Sequence, residues 1–81
     1  MKKFRVTIKE IDLNSGKFNL YKSTVISAPS VVAAVQKIIN SIFFFPEDSI
    51  ENPEPIQIAP NVHVFSVRAD RTLYKVYLRR V

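Results

Sequence analysis

Residues 29–42 read PSVVAAVQKIINSI, and the rest of the chain is organised around this segment. Pro29 ends the extended segment before it, and the hydroxyl of Ser30 can accept a hydrogen bond from the free amides of a first helical turn. At 100° per residue, the apolar side chains fill one arc of roughly 160°. Its members are Val31, Val32, Ala34, Val35, Ile38, Ile39 and Ile42. The spacing predicts an amphipathic helix that packs on a sheet. A strand over residues 31–35 is the alternative, because Val and Ile have only modest helix propensity.

The residues before this helix predict a β-hairpin. Phe4, Val6 and Ile8 alternate with polar residues, which is typical of a strand with one buried face. Residues 14–16 read NSG and contain the only glycine of the chain, so they predict a tight reversal. The second strand covers about residues 17–27. Its apolar residues do not keep one parity, and this mixture predicts either a β-bulge or a partly covered second face.

The residues after the helix predict a long loop and a second hairpin. Residues 46–60 contain four of the five prolines and four of the seven acids, without Lys or Arg, so we expect neither helix nor strand there. Three isoleucines are spaced as anchors that would pin this loop to the body: Ile50, Ile56 and Ile58. Residues 62–67 and 73–78 then predict two strands, with Asp70 and Arg71 at the tip between them.

The predicted element order is therefore strand, strand, helix, long loop, strand, strand. It indicates an α+β fold of ββαββ type, with a four-stranded, mainly antiparallel sheet and one helix packed on one face. A chain of 81 residues supports a single domain over residues 1–81. The second face of this sheet would remain uncovered. The order of the strands within the sheet does not follow from these patterns.

Composition and charge exclude several classes of protein. Apolar residues make up 47% and charged residues 23%, which is typical of a folded globular domain. Residues 1–5 are basic, but residues 6–10 alternate instead of running apolar, so we expect no secretion signal. The hydrophobic concentration at residues 31–45 is too short and too interrupted to span a bilayer. We therefore expect a cytoplasmic protein without a membrane partner.

Groups suited to catalysis are scarce in this chain. His63 is the only histidine and there is no cysteine, so the chain offers neither a thiolate nucleophile nor a His/Cys zinc site. The acids of residues 46–60 do not match the spacing of a calcium loop, and a single glycine cannot form a phosphate-binding loop. We therefore expect no catalytic residue, no metal, no cofactor, no small-molecule substrate and no enzymatic activity.

The distribution of charge is compatible with an anionic partner. The chain carries a net charge of +5, and the segment of residues 46–60 holds four of its seven acids. The polar positions of the first and last strands are basic, so these strands would form one cationic surface if they were neighbours. The candidate nucleic-acid contacts are Lys3, Arg5, Lys9, Lys75, Tyr77 and Arg79, with Tyr21 as a second ring for unpaired bases. An ordinary solvated face is the preferred interpretation, because alternating Lys and Arg also occur in the strands of any soluble protein.

Surplus hydrophobic residues favour a protein partner instead. Phe43, Phe44 and Phe45 occupy consecutive positions at the end of the helix, where they spread through 200° and cannot all point inward. Phe65 is opposite in parity to Val62 and Val64, which predicts a strand buried on both faces. The candidate protein-interface residues are Phe43, Phe44, Phe45 and Phe65. The alternative is that the acidic loop folds back and covers the helix end.

Two functions follow from these features. The first hypothesis is a small non-enzymatic interaction protein that binds a macromolecular partner, which is either another protein or a second copy in a homodimer. The alternative is a nucleic-acid-binding protein that uses the basic, Tyr-containing sheet face. Nucleic acid would bind the open sheet face, whereas a protein partner would bind either the same face or the region of Phe43 to Phe45. The strand order therefore matters most, because it decides whether the basic residues of the first and last strands meet.

Overall fold

The computed structural model describes residues 1–41, 54–69 and 71–81. The elements are β1 (Lys2–Asp12), β2 (Phe18–Ala28), α1 (Val31–Ser41), β3 (Ile56–Ala59), β4 (Val62–Ala69) and β5 (Thr72–Arg80). All strand pairs are antiparallel, and they form one sheet in the order β2-β1-β5-β4-β3. We call the sheet face that carries α1 the inner face and the opposite face the outer face. The α+β class is confirmed, with one helix in the described residues, whereas the predicted number of four strands is wrong because these residues already form five.

The additional strand, β3, lies within the segment that we predicted to be a loop. Ile56 pairs with Val64 and Gln57 pairs with His63, on the side of β4 that is not occupied by β5. Ile56 and Ile58 are 65% and 56% exposed, so the prediction that they anchor the segment by burial is wrong. Backbone pairing explains the correction, because an edge strand offers free N–H and C=O groups that a passing segment can satisfy. The third predicted anchor, Ile50, lies outside the described residues.

Local signals in the sequence account for α1. The Ala33 amide donates to the Ser30 hydroxyl at 3.2 Å, and the Ala34 amide donates to the Ser30 carbonyl at 3.0 Å. Ser30 is therefore the predicted N-cap. The residues buried from this helix are Ala34, Val35 and Ile38. The alternative of a strand over residues 31–35 is wrong, because packing of this apolar arc on the sheet outweighs the modest helix propensity of Val.

The first hairpin closes as its sequence indicates. Gly16 has a φ of 70°, the left-handed conformation that glycine adopts at little cost, and its amide donates to the Asp12 carbonyl at 2.7 Å. The Asp12 carboxylate accepts hydrogen bonds from the Asn14 amide at 2.9 Å and the Ser15 hydroxyl at 3.1 Å. These bonds, the Asn14 amide first and the Ser15 hydroxyl second, lower the pKa of Asp12 from its ordinary value.

The predicted bulge is present in this hairpin. Ile8 pairs with Lys22 but Lys9 pairs with Leu20, so Tyr21 is an additional residue in β2. A bulge of one residue reverses the alternation of side chains beyond it. The parity of β2 therefore differs on the two sides of Tyr21, which explains the mixed pattern in its sequence.

The hydrophobic core lies between the inner face and α1. It takes Phe4, Val6 and Ile8 from β1, Phe65 and Val67 from β4, Val76 and Leu78 from β5, Ala28 from the end of β2, and the buried residues of α1. Phe65 is 3% exposed and pairs with Val76, so its prediction as an interface residue is wrong: alternation directs it into the core. Val62 and Val64 are only half-buried, so β4 is fully buried on one face alone. Phe43, Phe44 and Phe45 lie outside the described residues.

Removing apolar volume from the centre of α1 tests this packing. We expect Ile38→Ala to lower the free energy of unfolding by about 2–5 kcal/mol, because Ile38 is fully buried against the sheet and the change leaves a cavity. Val32→Ala on the same helix is the control, with an expected change within about 0.5 kcal/mol because Val32 is 60% exposed. Urea unfolding followed by circular dichroism measures both changes.

If Ile38→Ala does not fold, Ile38→Val keeps the comparison measurable, with an expected loss of about 0.5–1.5 kcal/mol. Equal effects of the substitutions at positions 32 and 38 would contradict the assignment of the buried arc.

Candidate functional site

The pairing of β1 with β5 joins two basic strands on the outer face. Arg5 lies opposite Arg79, and Lys9 lies opposite Lys75. Thr7 and Tyr77 form the pair between them. Lys3 has the same parity as Arg5, so all six residues that we predicted as nucleic-acid contacts lie on the outer face. The structure thus brings together residues from the two ends of the sequence.

A further cation, not identified from the sequence, extends this surface. Arg68 of β4 pairs with Leu73, which shares its parity with Lys75, so Arg68 also lies on the outer face. The sequence could have indicated Arg68, because Arg68 has the same parity as Val64 and Ser66 in this strand. We call the resulting surface the basic face and define it by Lys3, Arg5, Lys9, Arg68, Lys75, Tyr77 and Arg79.

The described acidic residues are not strand partners of the cations of the basic face. Glu10 pairs with Tyr74, which packs against the core on the inner face. Asp12 belongs to the hairpin turn, and Glu54 precedes β3. Among residues 1–41, 54–69 and 71–81, therefore, no Asp or Glu lies opposite one of these cations in a neighbouring strand. Like charges directly opposite each other on neighbouring strands destabilise a sheet, so the two cationic pairs carry a cost that a bound anion would relieve.

Two aromatic rings flank Lys9 on the basic face. Its Nζ lies 5.0 Å from the centre of the Phe18 ring and 5.3 Å from the centre of the Tyr77 ring. Phe18 pairs with Ile11, which shares the parity of Lys9, and its side chain is 51% exposed. An exposed aromatic ring beside cations can stack on a nucleic-acid base. Phe18, like Arg68, is a residue of this surface that the sequence analysis did not identify.

Tyr21, in contrast, does not lie on the basic face. Its ring meets the Tyr74 ring edge-on, with 5.1 Å between the ring centres and 66° between the planes. Tyr74 packs against the core, so this pair lies on the inner face. Burial raises the pKa of Tyr74, and the charges of Glu10 and Tyr21 add to this effect. The bulge explains the correction, because it exchanges the two faces in this part of β2: Tyr21 lies on the inner face and Phe18 on the outer face.

A shallow depression on the outer face offers space for a ligand. Its volume is about 310 Å³, and it is lined by Arg5, Thr7, Lys9, Val62, Tyr77 and Arg79. Its lining therefore combines cationic side chains with an aromatic ring and an apolar residue. This combination suits a ligand that carries both phosphate groups and planar apolar groups.

His63 lies elsewhere, at the end of the sheet. It is half-buried and borders a cleft of about 130 Å³ together with Lys2 and Arg80. Among the described residues that line this cleft, none is an acid. The described part of the chain also holds no group of three or more His, Cys, Asp or Glu side chains that could bind a metal ion, and no helix in it is long and apolar enough to cross a bilayer.

Comparisons with protein-family models, with curated proteins and with solved structures found no match. Function is therefore inferred from the geometry of the basic face alone.

The repulsion within the basic face can be measured directly. We expect Arg79→Glu to raise the free energy of unfolding by about 0.5–1 kcal/mol at low salt, because a carboxylate opposite Arg5 replaces repulsion with attraction. Arg68→Glu is the control: it changes the net charge equally, but its partner in β5 is the uncharged Leu73. Urea unfolding at low and at 0.5 M salt measures both variants.

The gain from Arg79→Glu should shrink at high salt because ions screen exposed charges. An equal gain from both variants would mean that net charge, rather than the Arg5–Arg79 pair, accounts for the effect.

Proposed function

We propose that this protein is a non-enzymatic binding module for nucleic acid and that the basic face contacts the phosphate backbone. The observation that carries this proposal is the pairing of β1 with β5, which places Arg5 opposite Arg79 and Lys9 opposite Lys75. Release of counterions from the phosphates supplies affinity when Lys and Arg neutralise a nucleic acid. This proposal is the alternative hypothesis of the sequence analysis, a nucleic-acid-binding protein. It is supported by the strand order, in which the two basic strands β1 and β5 are neighbours.

The spacing of the sheet suits a chain of phosphates. Neighbouring strands lie about 4.8 Å apart, and residues on one face of a strand repeat at about 6.8 Å. The cations therefore form a grid, with Arg5 and Arg79 in one row, Lys9 and Lys75 two rows away, and Lys3 one row beyond Arg5 in the opposite direction. Their long side chains can reach several positions, which favours binding independent of base sequence.

Charge removal on the two faces of the sheet tests the proposal. We expect Arg5→Gln/Arg79→Gln to weaken binding of a generic labelled oligonucleotide about tenfold or more at low salt, because two phosphate contacts are lost. For a single strand, the slope of log affinity against log salt should fall in magnitude by about 1.4. Fluorescence anisotropy over a salt series measures both quantities.

The matched control is Lys2→Gln/Lys22→Gln, which removes the same charge from residues paired with Ala28 and Ile8 on the inner-face parity. We expect it to retain most of the affinity and the slope of the unaltered protein. Equal losses in both double variants would contradict a defined basic face, and no binding at low salt would eliminate the function.

A specific observation favours the protein-interaction hypothesis as a second candidate. β2 is an edge strand of the sheet. On the outer face it carries Phe18, Leu20 and Val25, which are all more than half exposed. An edge strand with exposed apolar residues is suited to association with a second copy of the chain. A homodimer formed in this way would compete with nucleic acid for Phe18.

Sedimentation equilibrium at tens of micromolar tests this candidate. The second candidate predicts a dimer mass that returns to the monomer mass in Leu20→Ser/Val25→Ser, because exposed apolar area is removed without loss of charge. A strictly monomeric mass of the unaltered protein would eliminate the homodimer and leave the basic face free.

A further inference from the structure

The basic face carries more than charge, since Phe18 and Tyr77 add two aromatic rings beside its cations. We infer that the basic face binds single-stranded rather than duplex nucleic acid, and that these two rings stack on unpaired bases. This inference rests on the proposed function and adds to it the class of nucleic acid.

The positions of the rings fit consecutive or nearby bases of one strand. Because their centres lie 5.0 and 5.3 Å from the same Lys9 nitrogen, they are within 10.3 Å of each other. Rings at this distance are close enough to engage bases of one short segment while Arg5 and Arg79 contact its phosphates. Stacking is tolerant of base identity because every base has a π-face.

Lys9 stands between the rings and has to give way to a base. An exposed contact between an ammonium group and a ring is weaker than the stacking of a base on that ring. The Lys9 side chain is long and only partly buried, so its ammonium group can move from the rings to a phosphate. Exchange of Lys9 between rings and phosphate therefore favours the bound strand.

A duplex would not use these rings. Five strands spaced at about 4.8 Å form a surface about 19 Å wide, whereas the major groove of B-DNA is about 12 Å wide and admits a helix or a two-stranded ribbon. The sheet face could therefore contact only the outer phosphates of a duplex, whose bases are already stacked on one another. Phe18 and Tyr77 would then have no unpaired base on which to stack.

The test compares three probes of about 15 positions at equal salt: an unstructured thymidine strand, an abasic strand with the same phosphates, and a duplex. We expect the thymidine strand to bind at least tenfold more tightly than either of the others, because it alone presents unpaired bases. Phe18→Leu and Tyr77→Leu should each weaken its binding about tenfold, and neither should change binding of the abasic strand.

Tyr21→Leu is the control, because it removes an exposed ring from the inner face and should leave binding unchanged. Tyrosine fluorescence gives a second readout, since the chain has three Tyr and no Trp. Stacking should quench this fluorescence, and the quenching should be absent in Tyr77→Leu but retained in Tyr21→Leu.

The results that would overturn the inference are distinct from those that remove the proposed function. Equal binding of the thymidine and abasic strands, or unchanged binding by the leucine variants, overturns stacking. If Arg5→Gln/Arg79→Gln still weakens binding in that case, the proposed function stands. No binding of any probe overturns both, and a dimer that Phe18→Leu dissociates assigns the ring to self-association.

Discussion

The antiparallel pairing of β1 with β5 is the constraint on which this structure depends. It extends from the pair Phe4 and Arg80 to the pair Asp12 and Thr72 without a shift in register. Because side chains alternate along each strand, one register fixes both faces at once. It places Ile8 opposite Val76 in the core and Lys9 opposite Lys75 on the outer face. A shift by one residue would bury the cations and expose the core.

The energies on the two faces explain why this register persists despite the repulsion between cations. Fully burying a side chain such as Ile8 or Leu78 contributes about 1.5–3 kcal/mol, whereas an opposed pair of like charges costs about 0.2–1 kcal/mol. The inner face therefore determines the register, and the outer face carries the charges that result. A cationic surface is available to an anionic ligand, which connects the packing of the core to the proposed function.

The bulge at Tyr21 has a comparable effect on the aromatic residues. Without the additional residue, β2 would keep one parity, and Phe18 and Leu20 would share a face with Thr24 and Ile26. With it, Tyr21 meets Tyr74 on the inner face and Phe18 reaches Lys9 on the outer face. The mixed parity of β2 predicted a bulge, but parity does not identify which residue is the additional one. Only the pairing of β1 with β2 therefore shows that Phe18, rather than Tyr21, is the aromatic residue beside the basic face.

The sequence by itself determined α1 with its Ser30 cap, the two hairpins and the basic parity of β1 and β5, because each is a local pattern with a period of 3.6 or 2 residues. It left the bulge in β2 as one of two alternatives. Only the tertiary structure decided that β1 and β5 are neighbours, that β3 joins the edge of β4, and that Phe65 is buried. These outcomes depend on contacts between distant segments. Burial and backbone hydrogen bonding across the whole sheet select such contacts, which a local sequence pattern does not predict.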